Sequence, residues 1–321
     1  MNFFKSTKGK FVSLLFLLFI WFLISQKFSP YILGFLTTTL MYIGIAQAWN
    51  VIGLTGKISF GHAAFFGIGS YITVILYLRY GIHNLLILFI ISGLVSGLFA
   101  VIVGYPFLRL RGPYFAIGTL GLANVVYILA IAFKNLTNGA SGISIPISSF
   151  VSKSPLVYYN VILGIVYLQI LLYILLLNSK MGIALKTIRD DEEAALAVGV
   201  NTTFYKVIAF GISAFLTGVI GSFYALYITY INPMTVFSSS ISLGAVAMSI
   251  FGGIGTVEGP IIGGIILLSV SEVFRSYMTN ISLLVYGATM IIAMLFFPKG
   301  IIGVIDKMRK RGRRNHESVN D

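Results

Sequence analysis

The sequence contains no cysteine, only three histidines and few charged residues, which make up 10% of its 321 positions. Without cysteine the chain can form neither a disulfide nor a thiolate metal site, and a cysteine nucleophile is excluded. Charged residues average about 25% in soluble globular proteins, whereas apolar residues reach 58% here. This composition predicts a membrane protein with many spans rather than a set of soluble domains.

The chain also lacks the motifs that mark ATP hydrolysis or catalysis in a sequence. It contains no GxxxxGK[ST] phosphate loop, no GxSxG nucleophile elbow and no HExxH zinc motif. Its apolar segments hold almost no acidic residues at mid-depth, although carriers coupled to protons or sodium ions usually need them. We therefore expect no catalytic residues, no cofactor and no metal, and an energy source outside this chain.

Ten apolar segments recur along the chain with no soluble domain between them. They predict a single all-α membrane domain over residues 1–321, with about ten transmembrane helices. The first segment is expected to remain as an uncleaved span, because no small-residue cleavage site follows it. The segments lie at about residues 11–25, 31–52, 58–78, 85–104, 114–133, 157–177, 204–229, 237–254, 260–274 and 281–297.

The distribution of basic residues favours one orientation of this bundle. If both termini are cytoplasmic, only Lys27, Arg79, Lys134, Lys153 and Arg275 lie outside, and the other 17 of the 22 lysines and arginines lie inside. Many of these are in a basic cytoplasmic tail at residues 299–321. The net charge of +13 is thus explained by membrane orientation, and we expect contact with membrane lipid and none with nucleic acid.

One polar segment, residues 178–203 (NSKMGIALKTIRDDEEAALAVGVNTT), interrupts the apolar pattern and must lie in water. Asp190 is the expected N-cap of a short helix over about residues 191–198, with Glu193 completing a capping box and Gly199 providing a left-handed stop. Its alanines suit close docking to another protein, and its charges suit orientation of that contact. A solvated connector between two spans is the alternative that the pattern leaves open.

Two further features have both a packing and a functional interpretation. The glycine-rich residues 251–264 (FGGIGTVEGPIIGG) predict close helix packing, with a re-entrant turn lining a cavity as the less favoured alternative. Uncharged polar residues within the spans could contact a substrate, although taken singly each is more typical of a hydrogen bond between helices. The candidates for a translocation path are Asn50, Ser59, His62, Thr119 and Asn124.

Five segments, spread in order over nearly the whole chain, carry a family resemblance. They are GLTGKISFGHAAFFGIGSYI (53–72), LRLRGPYFAIGTL (108–120), LTNGASGISIP (136–146), GIALKTIRDDEEAALAVGVNTTFYKVIAF (182–210) and FFPKGIIG (296–303). They resemble the permeases of branched-chain amino-acid ABC transporters, and the LivM-type subunit more than its LivH-type partner. Within the fourth segment, EAALAVG (193–199) matches the EAAxxxG core by which import permeases engage their ATPases, but the wider motif's trailing Leu-Pro is missing.

The resemblance implies a heteromeric importer in the cell membrane. Its other parts would be a LivH-type permease, two cytoplasmic ABC ATPase subunits and an extracytoplasmic substrate-binding protein. The ATPase-coupling residues it implies are Arg189, Asp190, Asp191, Glu192, Glu193, Ala194, Ala195 and Gly199. The candidate docking residues for the binding protein are Thr137, Asn138, Gly139 and Ser141, in a loop that could equally be a glycine-rich connector.

Branched-chain amino acids are the substrates that the resemblance implies first. Permeases of the same type that carry urea, short amides or other amino acids are the alternative within the family. A secondary carrier acting alone is the alternative from another class, and the lack of mid-span acids argues against it.

Overall fold

The computed structural model describes residues 26–110, 112–146, 154–277 and 300–303. Within these residues, seven helical spans are long and apolar enough to cross a membrane. Six are continuous helices: α1 (Pro30–Gly53), α2 (His62–Tyr80), α3 (Leu85–Phe107), α4 (Pro113–Ala132), α6 (Pro155–Leu177) and α9 (Thr202–Ile228). The seventh, Pro233–Gly252, consists of α10 (Pro233–Val236) and α11 (Ser239–Gly252), and the shorter apolar helix α12 (Gly259–Tyr277) follows it.

These helices confirm the prediction of an all-α polytopic membrane protein. Eight of the ten predicted segments lie in the described residues, and each is helical. The segments at 11–25 and 281–297 lie outside the described residues, so the total of ten spans stays a prediction. The remaining short elements are α5 (Lys134–Thr137), α7 (Lys180–Asp190), α8 (Glu192–Ala197), a 3-10 helix (Gly139–Ser141) and two strands, β1 (Ile143–Ser144) and β2 (Tyr230–Ile231).

Local sequence explains where the long helices begin. Proline is the first residue of α1, α4 and α6, a position where its fixed φ suits the helix and its missing N–H costs nothing. Asn84 precedes α3, and its side chain accepts hydrogen bonds from the N–H groups of Leu86 and Ile87. These caps satisfy donors that would otherwise be unpaired at the helix ends.

Helix α9 lies at the centre of the bundle, where it packs most extensively against α3 and α2 and also against α1. Small residues permit this close approach. A Cβ on Gly69 of α2 would lie 2.2 Å from the carbonyl oxygen of Gly218 in α9, and one on Gly218 would lie 2.4 Å from Ser96 Oγ in α3. Helix α9, which follows the polar segment, is therefore closely packed within the core.

Helices α11 and α12 form a tight hairpin across the glycine-rich residues. A Cβ on Gly252 would lie 1.7 Å from the carbonyl oxygen of Gly259, and one on Gly263 would lie 2.0 Å from that of Met248. The structure thus shows the close packing that the glycine pattern predicts. Between the two helices, residues 253–258 form a compact turn, called the glycine turn below.

Candidate coupling site

The polar segment folds as two helices at one end of the bundle, and α7 is the larger of them. The sequence pattern predicted α8 but gave no indication of α7. Ser179 caps α7 by accepting from the N–H of Gly182, and a Cβ at Gly182 would lie 2.2 Å from the carbonyl oxygen of Leu176. Glycine thus lets the chain turn sharply from α6 into α7, whose buried residues are Gly182, Ala184, Leu185 and Ile188.

The N-cap of α8 is Asp191 rather than the predicted Asp190. Asp191 has an extended backbone, with φ −158° and ψ 110°, and its Oδ1 accepts from the N–H groups of Glu193 (2.9 Å) and Ala194 (3.0 Å). Asp190 is the last residue of α7, which the sequence pattern did not show. With the cap at Asp191, the third helical position is Ala194, so the predicted capping box with Glu193 is wrong as well.

The other end of α8 follows the prediction. The N–H of Gly199 bonds the carbonyl oxygen of Leu196, and its φ is +85°. This left-handed conformation is one that glycine adopts without strain. The helix is shorter than predicted, Glu192–Ala197, since Val198 already has the C-cap position.

Most side chains of α8 face solvent. Ala195 is fully buried, and it fixes the helix to the bundle, whereas Glu193 and Ala194 are exposed. Leu196 is 54% exposed, and Val198, just after the helix, is 74% exposed. A water-facing helix that presents apolar side chains beside acids has the character of a docking surface.

An ion pair fastens α8 to the central helix of the bundle. Lys206, in the first turns of α9, is only 3% exposed, and its Nζ donates to Glu192 Oε1 at 2.5 Å. Thr202 Oγ1 donates to the same oxygen at 3.3 Å. The coupling residues predicted from the sequence include Glu192 but not Lys206. The available signal for Lys206 was a lysine directly before the long apolar run of α9.

This pairing sets the protonation of Glu192. Burial by itself would raise the pKa of Glu192, but the hydrogen bond and charge of Lys206, together with Lys57 and Thr202, outweigh it and hold the pKa below its ordinary value. The carboxylate is therefore ionised at neutral pH, as the ion pair requires.

Arg189 and Asn50 both reach the glycine turn. Arg189 Nη1 donates to the carbonyl oxygen of Ile254 at 3.5 Å. Asn50, predicted as a path residue, is fully buried, accepts from the N–H of Gly255 at 2.8 Å and donates to the carbonyl oxygen of Thr256 at 2.7 Å. The structure thus brings Asn50 to the same turn as the segment formed by α7 and α8, called the coupling segment below.

Ser59, His62 and Thr119 lie fully buried at the same end of the bundle. Thr119 Oγ1 accepts from the N–H of Phe60 at 3.0 Å, and Ser59 Oγ accepts from the N–H of Gly61 at 3.2 Å. The bond from Phe60 joins the residues before α2 to α4, whereas the Ser59 bond is local. Each hydroxyl therefore has a structural bond, and the role of these residues in a path stays a prediction.

The ring of His62 links α2 to α9 and α1. Its Nε2 lies 2.7 Å from Ser213 Oγ, which donates in turn to the carbonyl oxygen of Ala48 at 2.7 Å. Because the Ser213 proton is used on Ala48, Nε2 of His62 is the donor of the pair. Asn124, the fifth candidate, lies apart on an exposed face of α4.

The four predicted docking residues lie together at the opposite end of the bundle. Thr137 is buried, and its Oγ1 donates to the carbonyl oxygen of Phe133 (2.9 Å) and accepts from the N–H of Gly139 (3.1 Å). Asn138 and Gly139 both have positive φ, 59° and 60°. The carbonyl oxygen of Ser141 accepts from the hydroxyl of Tyr230 at 3.0 Å.

This loop is held in place by hydrogen bonds and a short sheet, and its role in docking stays a prediction. Ile143 pairs with Ile231 in the antiparallel β1–β2 ladder, which joins the loop to the end of α9. Beside it is a cavity of about 320 Å³ whose lining includes Arg79, Lys134 and Asn138.

Comparison with known proteins agrees with the motifs. A sequence profile of the family "Branched-chain amino acid transport system / permease component" matches residues 31–294. The chain is 31% identical over 294 residues to the high-affinity branched-chain amino acid transport system permease protein LivM of Salmonella typhimurium, spanning 83% of this chain and 68% of that protein. The LivM protein of Escherichia coli is 30% identical to the chain over 294 residues, which again span 83% of this chain and 68% of that protein.

A LivH protein also matches, more distantly. The chain is 27% identical over 305 residues to the high-affinity branched-chain amino acid transport system permease protein LivH of Salmonella typhimurium, spanning 89% of this chain and 96% of that protein. No solved structure matches.

Proposed function

The chain belongs to the family of permease components of branched-chain amino acid transport systems, and from that premise we propose that it is the LivM-type subunit of an ATP-driven importer. It is a multi-pass membrane protein and a transport permease, not an enzyme. Its partners in the complex are a LivH-type permease, two cytoplasmic ABC ATPases and an extracytoplasmic binding protein. Branched-chain amino acids are the substrates, as in the names of its relatives.

The observation that carries this proposal is the exposed coupling helix α8. It presents Leu196 and Val198 to water beside Glu193, while Ala195 and the Glu192–Lys206 pair hold it to the bundle. Because an apolar surface of this kind is stabilised by a partner, and because ATP must be hydrolysed on another chain, the partner we infer is an ABC ATPase.

The orientation follows from the same assignment. We place α7, α8 and both termini in the cytoplasm, in a bundle of ten spans, in accord with the excess of basic residues on that side. Ser59, His62, Thr119 and Asn124 remain the candidates for a path between this subunit and its LivH-type partner.

The opposite end then faces the binding protein. The folded loop with Thr137, Asn138, Gly139 and Ser141 is the proposed docking element, and the adjoining cavity with Arg79 and Lys134 would receive acidic side chains. Its rigid hydrogen bonding lowers the entropy that is lost on docking.

Reconstitution tests the proposal. In proteoliposomes, this chain with its LivH-type, ATPase and binding-protein partners should take up leucine only when ATP is hydrolysed, and the chain alone should take up none. Glu193→Lys should abolish uptake and weaken co-purification of the ATPases, whereas Asn178→Lys, at another exposed position near α7, should do neither. Uptake by the chain alone, driven by an ion gradient, would refute the proposal.

A further inference from the structure

The glycine turn is held from two sides by side chains of other elements. From α1, Asn50 bonds both the N–H of Gly255 and the carbonyl oxygen of Thr256, at 2.8 and 2.7 Å. From α7, Arg189 donates to the carbonyl oxygen of Ile254 at 3.5 Å. Three consecutive residues of the turn are therefore bonded to a transmembrane helix or to the coupling segment.

The turn is stiff enough to move as one unit. Thr256 Oγ1 donates to the carbonyl oxygen of Gly253 (2.8 Å) and accepts from the N–H of Gly259 (3.0 Å), so the side chain closes the turn on itself. There is no room for a Cβ at either end of the turn, since one on Gly252 would lie 1.7 Å from the carbonyl oxygen of Gly259 and one on Gly259 would lie 2.3 Å from that of Gly253. A force on the turn is consequently passed to α11 and α12.

Arg189 lies between two loops that approach closely. A Cβ on Gly255 would be 3.0 Å from its Nη1, and a Cβ on Gly56, in the loop after α1, would be 3.4 Å from its Cγ. Both glycines have positive φ, 81° and 75°. Arg189 is also only two residues before Asp191, the N-cap of α8, so α8 and the turn are joined through a short piece of chain.

A third segment packs on the same turn. Gly300 has a φ of +69°, and a Cβ there would be 2.6 Å from the Cα of Gly253. A Cβ on Gly253 would be 3.4 Å from the Cβ of Ile302. Residues near 53, 189, 254 and 300 are far apart in sequence but meet at one junction. Contacts of this density favour concerted movement over independent loop motion.

We propose that Asn50 and Arg189 are positioning residues of the transport cycle. Arg189 fastens the glycine turn to the coupling segment and Asn50 fastens it to α1, so that displacement of α8 moves α11 and α12 together with the end of α1. This inference rests on the proposed function of α8. Asn50 is suited to the role because its amide supplies both a donor and an acceptor. Aspartate keeps only the acceptor at neutral pH, and leucine has neither.

The first test separates ATP hydrolysis from transport. In the reconstituted complex, Asn50→Leu should leave ATP hydrolysis on the partner subunits but lower the leucine transported per ATP by roughly tenfold. Arg189→Met should lower the leucine transported per ATP as well. Asn50→Asp should give an intermediate loss. Asn178→Leu is the matched control and should transport normally. In the described part of the chain, the Asn178 side chain donates to the carbonyl oxygen of Ile174, one turn earlier in α6, and not to the glycine turn.

A second measurement excludes a role in folding or in substrate contact alone. Since the chain has no cysteine, spin labels can be placed at Lys186→Cys on α7 and Glu258→Cys on the turn, both exposed. The distance between them should stay constant between nucleotide-free and ATP-bound wild-type complexes, and should change with nucleotide in Arg189→Met, because Arg189 makes the bond from α7 to the turn.

The outcomes are distinct. If the wild-type complex hydrolyses ATP without leucine uptake, the proposed function fails. If it transports leucine but Asn50→Leu matches it in transport per ATP, or Arg189→Met keeps the label distance constant, only the role of Asn50 and Arg189 is overturned.

Discussion

Lys206 Nζ lies 2.5 Å from Glu192 Oε1 and joins the start of α9 to the first residue of α8. The lysine side chain is 4% exposed and that of the glutamate is 40% exposed. A cation taken so far out of water is stable only with a partner. Because α9 is also the helix that packs on α2 and α3, the pair connects the coupling helix to the core.

Glu192→Gln should destabilise the protein, because it leaves Lys206 without its counter-ion. Removing one partner of a fully buried pair costs about 3–5 kcal/mol, and the partial exposure of Glu192 lowers this to about 1–3 kcal/mol. Thermal unfolding in nanodiscs measures the loss. Glu193→Gln, at the exposed neighbour, should change stability by less than about 0.5 kcal/mol.

A double-mutant cycle with Lys206→Met gives the control for this prediction. If the pair is responsible, Glu192→Gln should cost much less in the Lys206→Met background than in the wild type. Equal costs in the two backgrounds would show that Glu192 acts through other contacts.

The pH dependence follows from the lowered pKa of Glu192. Its ordinary value is 4.5 and its value in the folded protein is lower. The folded state therefore binds the proton less readily, so the stabilisation is present above 4.5 and is lost as the pH falls through the folded value. Wild-type stability should decline faster than that of Glu192→Gln on acidification below about pH 4.5, measured by thermal unfolding. Parallel curves would contradict this assignment.

Asp191→Ala should destabilise α8 more than Asp190→Ala. Asp191 accepts two backbone N–H bonds at the start of the helix, and loss of such a cap costs about 1 kcal/mol. Hydrogen–deuterium exchange of the amides of Glu193 and Ala194 measures the effect directly. Faster exchange in Asp190→Ala than in Asp191→Ala would show that Asp190, and not Asp191, is the N-cap.

Gly199→Val should impair uptake through backbone strain rather than through a clash. A Cβ at Gly199 meets nothing within 4 Å, but the φ of +85° costs a β-branched residue about 1–2 kcal/mol. Gly199→Asn should retain more uptake, because asparagine tolerates this region. Gly164→Val is the matched control, since a Cβ there also meets nothing within 4 Å and no positive φ is needed. Equal uptake by the Val and Asn variants at 199 would rule out strain as the cause.

Short-range features were predictable because their physical causes lie within a few residues. The apolar segments predicted the helices of the described part, since a membrane span must be apolar over its whole length. Gly199 was identified as a helix stop for a similar reason. The cap was misplaced by one residue, because Asp190 and Asp191 are equivalent in a pattern and only the extent of α7 distinguishes them.

Contacts between distant segments could not be predicted in this way. The sequence favoured a hydrogen bond between helices over a substrate contact for Asn50, but it did not identify the partners. The bonds of Asn50 to Gly255 and Thr256 depend on how α1 meets the α11–α12 hairpin. Nothing in the sequence pattern indicates that the partner of Lys206 is Glu192, fourteen residues earlier.

The sequence by itself determined that this protein is a helical membrane permease, where the spans of its described part lie and which polar segment interrupts them. These follow from hydropathy, charge and short motifs, all of which act locally along the chain. Only the tertiary structure decided which side chains hold that segment to the bundle. Glu192 with Lys206, and Asn50 and Arg189 with the glycine turn, are joined because helix packing brings together residues that no periodicity relates.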